Sequence, residues 1–545
     1  MRLLITVLFA STVWGYRHFQ DEIPNGGNVL NPCKNNDIWG GLGHRNPRGG
    51  GIFNPFGVDF KNAGMKWTKA LCEMDSDGDG ITNGEELGDP DCMWTKGNTP
   101  TVTLGIGHPG ICTPRSAPAC QAVNSWIDCE IKGPQCDALK EDGIKSITVR
   151  LPETVVPAVE TNYYCMFAEL PTDGDYHLVG FESQIDNTDI NHHIILFGCE
   201  STEKTSFAIN NPHPCGMKSI PECRTMLGVW NFGTPVKCMH EDSGFRIGKN
   251  GFKYAYLQFH WNNPQLRTDY TDSSGLKLYY TPNRRPHNAR MWTVGSSYFE
   301  IPPGEEEFEV EAWCRNDCTS RYLSGPVYIT RAENHMHYLG RKQKIQHYRN
   351  GVWIRDITND MYDFNSFADY AFTTPIEVKP GDEIKSTCTF RSVGRNKTTR
   401  FGEDSSHEMC FGFLVIHPLE NLKVQDCLSW RELDTCKIYD FSSDFPVIDG
   451  CHYKTLLNPF HPDLIALISN LRSLCRSFDV CTQECKHYVR GLLASNKCFS
   501  GVISDFLKYY TISQAPYFME VWAALDSCKT ELEMEDCQEQ CDSAK

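Results

Sequence analysis

Two histidines separated by one residue, His335 and His337 in ENHMHYLG, form the strongest chemical signal in the chain. Alternate residues of a β-strand share a face, so on a strand both imidazoles can chelate one metal ion. A lone His-x-His also occurs on plain exposed strand faces, so it needs companions. Met409, in HEMCFGFLVIHP, is one such companion. A strand methionine is ordinarily core packing, but beside two imidazoles its thioether completes an N/N/S set that suits copper cycling through Cu(I) better than zinc. The neighbours His192 and His193, in NHHIILFGC, and His260, in LQFHWNNP, add three further imidazoles. Adjacent strand residues face opposite ways, so His192 and His193 meet one ion only at a strand end or a bulge. Taken singly, each is an ordinary buried or hydrogen-bonded histidine.

A second constellation lies nearer the start. DSDGDGITNGEEL presents Asp75, Asp77 and Asp79, then Gly80 and Glu86, in the register of positions 1, 3, 5, 6 and 12 of a calcium loop. Hard carboxylate oxygens must converge on the cation, and the glycine permits the tight turn between them. The carbonyl of Ile81 is the position-seven ligand in this scheme. The alternative is an acidic, glycine-rich turn that holds no ion. Flanking helices of an EF-hand are weak, and Cys72 and Cys92 bracket the loop. A disulfide is therefore placed to do the clamping, and any calcium is structural rather than regulatory.

The elements that must position these groups are read from texture. The chain has 545 residues, 26 cysteines, and 52 basic against 69 acidic side chains, a formal charge of −17. At roughly 100–200 residues per domain, about three to five domains are expected. Scattered acidic charge gives no footprint for nucleic acid, and no basic cluster points to a membrane surface. Hydrophobic residues at 40%, with 12% aromatics, exclude global disorder. An even, high cysteine count without repeated CxxC knuckles indicates an oxidising, secreted context. Residues 1–15 agree with a signal peptide. Arg2 precedes the apolar run Leu3 to Ala10, and Val13 and Gly15 are small enough for a cleavage site before Tyr16. That run is too short to span a bilayer. Asn396 heads a sequon and is the expected glycosylation site.

Four regions follow. Residues 16–113 are rich in Gly, Asn, Pro and Asp, and residues 114–137 read as a linker carrying Cys120, Cys129 and Cys136. From about 138 to 430, SITVRLP, YAYLQFHW, LKLYYT and EEFEVEAW alternate polar and apolar residues between turn signals, which predicts antiparallel strands in sandwiches. Residues 431–545 change period. HPDLIALISNLRSLCRS and MEVWAALDSCKTELEMEDC have helical spacing, and this stretch holds nine cysteines. Cys481/Cys485 and Cys537/Cys541 are each four apart, which would place each pair on one helix face of a disulfide-stapled helical domain. The fold class is thus mainly β, between a small disulfide-rich N-terminal domain and a helical Cys-rich C-terminal one.

The first region resembles the temptins, secreted proteins, through NPC ending at Cys33, WGGLGH, NPFGVDF, DSDGDGITNGEELGDP and HPGIC ending at Cys112. That likeness implies the pairs Cys33–Cys112 and Cys72–Cys92 and an extracellular binding or signalling module. Residues 150–430 resemble the copper type II, ascorbate-dependent monooxygenases, which include dopamine β-monooxygenase and peptidylglycine α-hydroxylating monooxygenase. The ordered matches are NYYCMFAELP, NHHIILFGC, CRTMLGVW, LQFHWNNP, DSSGLKLYYT, IPPGE, HMHYLGRK, PGDEIKSTCTF and EMC. The resemblance implies two β-sandwich subdomains, 138–296 and 297–430, facing across a solvent-filled cleft. It assigns His192, His193 and His260 to an electron-transfer copper, and His335, His337 and Met409 to the copper that activates O₂. It also implies Cys165–Cys215, Cys199–Cys223, Cys314–Cys427 and Cys388–Cys410. The implied reaction hydroxylates an activated C–H bond with O₂, using two electrons from ascorbate.

Departures from the family bear on substrate. Where peptidylglycine enzymes hold a peptide carboxylate with an arginine, this chain has Glu333, and Phe411 and Phe413 replace an Asn and a Tyr. An acidic, aromatic pocket argues against peptide amidation and for a small amine or aromatic substrate. The alternative is that Glu333 faces solvent or pairs with Arg331. His407 stands where relatives carry an acid, either beside the metal or as a plain surface residue. A non-catalytic extracellular matrix or signalling protein, binding a partner through the temptin-like module, is the competing reading of the whole chain.

Overall fold

The computed structural model describes residues 17–34, 37–127, 136–200, 208–216, 220, 222–231, 236–263, 265–364, 367–403, 406–438, 447–448, 450–476, 481–514 and 519–543. The expected leader at 1–15 and Cys129 lie outside them.

Two β-sandwiches form the centre. In the first, one sheet runs through strands Lys145–Arg150, Gly275–Thr281, Asp175–Gln184 and Ser243–Gly248. The facing sheet orders His213–Pro214, Thr161–Glu169, Tyr254–Asn262, Asn191–Cys199 and Thr225–Asn231. The apolar runs of that second sheet are explained by burial on both faces. Met166, Ala168, Ile194, Leu196, Leu257 and Phe259 fill the sandwich interior. The alternate residues Cys165, Phe167, Ile195, Phe197 and Tyr256 pack the other way, in a cluster shared with Phe299, Met336 and Phe390 of the second sandwich. Each fully buried Leu or Phe contributes about 1.5–3 kcal/mol, so this face binds the two sandwiches together.

The second sandwich opposes a sheet ordered Asp369–Val378, Val327–His335, Cys410–His417, Arg290–Tyr298, Asp426–Trp430 and Leu433–Asp434 to one ordered Phe308–Cys314, Asp382–Phe390, Gly340–Arg349 and Val352–Met361. Its core holds Trp292, Ile329, Ile345, Ile384, Leu414 and Ile416. Strand Arg290–Tyr298, which crosses residue 296, is hydrogen-bonded throughout within this second sandwich.

The disulfides Cys72–Cys92, Cys165–Cys215, Cys199–Cys223, Cys314–Cys427 and Cys388–Cys410 are formed. Cys33–Cys112 is not: Cys112 bonds Cys120, eight residues on, in the short helix Pro118–Val123, while Cys33 is itself disulfide-bonded. Residues 114–137 are therefore stapled at both ends, since Cys136 bonds Cys238 of the first sandwich. In the C-terminal region, helices Pro462–Leu474, Gln483–Ser495, Gly501–Gln514 and Met519–Ser543 pack on a common core. Cys481 precedes the N-cap Thr482 and bonds Cys528, whereas Cys485 sits inside the helix and bonds Cys475. They do not share a helix face, because the helix begins between them. The side chains of Cys537 and Cys541 lie outside those described.

Candidate metal centres

The histidine pair is brought to one side by a bulge. His260 pairs with His193 across the strands, but the next residue, Trp261, pairs with Asn191, so His192 is an extra, unpaired residue. An inserted residue re-aims its side chain. His192 Nδ1 lies 3.0 Å from His193 Nδ1, and His260 Nδ1 lies 3.4 Å from the same atom. All three rings are buried, and their Nε2 atoms have no hydrogen-bond partner among the described residues. Three nitrogens this close, with unpartnered Nε2 atoms beside them, fit the donor set of a metal cation, since buried polar atoms are otherwise satisfied. Burial, then the neighbouring imidazoles, holds His193 and His260 well below the ordinary histidine range. Burial holds His192 at about 4. The rings are thus neutral at physiological pH, which is the ligating form.

The second set is built differently from the expected strand chelate. His335 is the last residue of strand Val327–His335, and His337 lies beyond it. Their rings still meet edge to face, centroids 5.5 Å apart. Strand geometry alone cannot hold His337, and Glu408 does. Its carboxylate accepts from the His337 N–H at 2.8 Å and the Leu339 N–H at 2.6 Å. Burial pushes Glu408 up to about 8, against those N–H groups. His337 Nδ1 bonds the His407 carbonyl at 3.0 Å, so that nitrogen carries the proton and Nε2 the lone pair. Met409 is buried immediately before strand Cys410–His417, not inside it. The acid in this segment is Glu408; the half-buried His407 contributes its backbone.

One aromatic ring touches both sets. The Phe364 ring lies 4.4 Å from that of His192 and 6.0 Å from that of His337. Phe364 and Phe367 belong to the cluster that spans both sandwiches. One ring thus touches a histidine of each set, and the two sandwiches share packed side chains beside them.

Glu333 neither faces solvent nor pairs with Arg331. It is 2% exposed, and its Oε1 accepts from Lys237 Nζ of the first sandwich at 2.7 Å. Arg331 instead pairs with Asp369 and donates to the Cys238 carbonyl. Burial raises the Glu333 carboxyl, and Lys237 opposes it. Phe411 and Phe413 flank His335 across the strands, with Phe413 5.5 Å from its ring.

In the N-terminal region the acidic side chains converge as spaced. One ligand oxygen each from Asp75, Asp77 and Asp79 lies within 4.8 Å of the others. Asp75 accepts from the N–H groups of Gly78, Asp79 and Gly80, and both glycines have positive φ, as such a turn requires. Both oxygens of Asp77 and Oε2 of Glu86 are buried without partners among the described residues. Burial and mutual repulsion push Asp77 up to about 7 and Glu86 to about 9. Ile81 is exposed at the rim, its N–H on Asp79. Asn396 is exposed on a turn.

Residues 147–268 match the N-terminal domain of the copper type II ascorbate-dependent monooxygenases, and residues 288–440 match its C-terminal domain. The chain belongs to that monooxygenase family. Residues 13–111 match the temptin C-terminal family. Tyramine beta-hydroxylase of Caenorhabditis briggsae is 27% identical over 57% of this chain and 55% of its own. Dopamine beta-hydroxylase of Equus caballus is 30% identical over 52% of this chain and 48% of its own. Temptin of Aplysia californica is 50% identical over 20% of this chain and 89% of its own. The chain spans about half the length of the curated monooxygenases it matches. A solved structure of infectious bursal disease virus Gx strain aligns with a TM-score of 0.14, too loose to describe the same fold.

Both histidine sets fall inside the family domains. The sequence reading missed Glu408, Lys237 and Phe364. Glu408 had a signal, since it adjoins Met409; the other two had none.

Proposed function

We propose that the chain is a secreted, copper-dependent monooxygenase that hydroxylates an activated C–H bond of a small aromatic or amine substrate, with O₂ as oxidant and ascorbate as reductant. The observation that carries this is the bulge that turns three buried imidazoles toward one point, 3.0 and 3.4 Å between Nδ1 atoms. His192, His193 and His260 would hold one copper, and His335, His337 and Met409 the other. Bound copper would supply one-electron transfer at the all-imidazole set and dioxygen activation at the His/His/Met set.

The remaining chemistry belongs to the chain. Glu408 fixes the backbone at His337 and Leu339, and the His407 carbonyl fixes the tautomer, so Nε2 of His337 is the nitrogen that would hold a metal. Phe364 packs against His192 and His337 and would help hold the two sets in place relative to each other. Phe411 and Phe413 offer an aromatic substrate apolar contact beside His335. Glu333 is already neutralised by Lys237, so selection of a cationic amine by that carboxylate requires displacing the lysine; aromatic contact is the stronger determinant. The disulfides support secretion, and no described helix is long and apolar enough to cross a membrane. The acidic loop supports one structural calcium, and the temptin-like module supports an extracellular protein or matrix partner.

Aerobic turnover with ascorbate across phenethylamines, phenols and glycine-extended peptides, read by mass, tests this reading. It predicts a 16-dalton gain, the mass of about one oxygen atom, on an aromatic amine or phenol and not on a peptide. No mass gain with any of them, in a copper-loaded protein, would leave the non-catalytic binding protein as the better account.

A further inference from the structure

A third histidine cluster lies apart from both copper sets, at the seam between the sandwiches. His240 and Asp242 sit in the turn between strands Val236–Cys238 and Ser243–Gly248 of the first sandwich, and His417 ends strand Cys410–His417 of the second. One ligand atom from each lies within 4.8 Å of the other two. His417 is 5% exposed, and neither of its ring nitrogens has a hydrogen-bond partner among the described residues. Leaving a buried polar atom unsatisfied costs about 1–3 kcal/mol, so a ring with two such atoms needs a reason. Stacking does not supply it. His417 lies between the rings of His287, at 4.8 Å, and Tyr328, at 5.5 Å, and neither contact uses an in-plane nitrogen.

His240 is oriented for the same point. Its Nε2 donates to the Thr373 carbonyl at 3.2 Å, which leaves the lone pair on Nδ1. That is the outer hydrogen bond by which proteins fix a ligating imidazole. Nδ1 lies 3.5 Å from Asp242 Oδ2 and accepts from the Asp242 N–H at 3.2 Å. Burial, then His287 and His240, lowers His417 to about 4, so its ring is neutral and able to donate a lone pair.

We propose that His240, Asp242 and His417 form a zinc site that ties the two sandwiches together. Two imidazoles and one carboxylate are a borderline N/N/O set, and water in the fourth position completes a tetrahedron. The site is separate from the copper assignments and stands or falls without them.

The test is metal analysis of the full-length protein after loading with zinc and dialysis. The parent chain is expected to retain one more zinc than His417→Phe, which keeps the stacked ring and removes both nitrogens. Asp242→Asn, on the exposed side, is expected to weaken that zinc at least tenfold, as loss of even an outer partner does. Both variants should keep the parent's circular dichroism. Equal zinc in the parent and His417→Phe would overturn the proposal. Should His417→Phe fail to fold, Asp242→Asn decides, and unchanged zinc affinity there would overturn it.

Discussion

Replacing Lys237 by methionine removes a charge that the second sandwich relies on. The Lys237 and Glu333 side chains are 1% and 3% exposed, so the allowance of about 0–1 kcal/mol for surface pairs does not apply. Breaking a buried pair from one side costs about 3–5 kcal/mol, because the remaining charge has neither water nor partner. Glu333 can escape part of that cost by taking a proton, and this makes the penalty depend on pH. In the variant its folded pKa is raised above the unfolded value of about 4.3, each unit being worth about 1.4 kcal/mol. The folded state then binds the proton more tightly than the unfolded one. The deficit is therefore small near pH 4 and grows as pH rises through the window between the two values. Guanidinium unfolding with disulfides intact, at pH 5 and pH 8, measures it. Lys237→Met should lose more at pH 8, and the double variant with Glu333→Gln should lose less than the two single losses together. A Lys237→Met chain within about 0.5 kcal/mol of the parent at both pH values would refute the pairing, since that is the size of a surface substitution.

Three further outcomes are expected. Glu408→Gln should lower copper affinity at the His335/His337/Met409 set by about 10–100-fold, as loss of an orienting partner does, while the His192/His193/His260 set keeps its metal; equilibrium dialysis checks this. Without calcium, stability of the N-terminal region should fall as pH rises from about 4.3 toward the raised Glu86 value of about 9, because the folded carboxylates hold protons that the unfolded chain releases. Calcium at 100 times its Kd should restore about 2.7 kcal/mol, read as a calcium-dependent rise in melting temperature that EDTA reverses. Met409→Ile should abolish ascorbate-dependent O₂ uptake while the three-histidine set still binds copper.

The sheets and the histidines were legible because their signals are local. Alternation announced the strands, and the pair His192-His193 called for a strand end or a bulge, of which the register supplies the bulge. His337 was less so. Its spacing from His335 suggested strand geometry, but the strand ends between them and Glu408 takes over, a contact 71 residues distant in sequence. Pairings set by tertiary approach were the least visible. Cys136 meets Cys238 across 102 residues and Cys318 meets Cys436 across 118, and no spacing rule selects either. Lys237 gave no warning, since an isolated lysine is normally solvated. The contacts of Phe364 with both histidine sets depend on two sandwiches meeting, which neither sequence segment states alone.

Copper counted per chain after reconstitution, in the parent and in His260→Ala and His335→Ala, tests the central claim most directly. Each variant is expected to hold one copper fewer than the parent, with its circular dichroism unchanged and ascorbate-dependent O₂ uptake lost. Equal copper in all three proteins, or O₂ uptake that survives either substitution, would contradict the account.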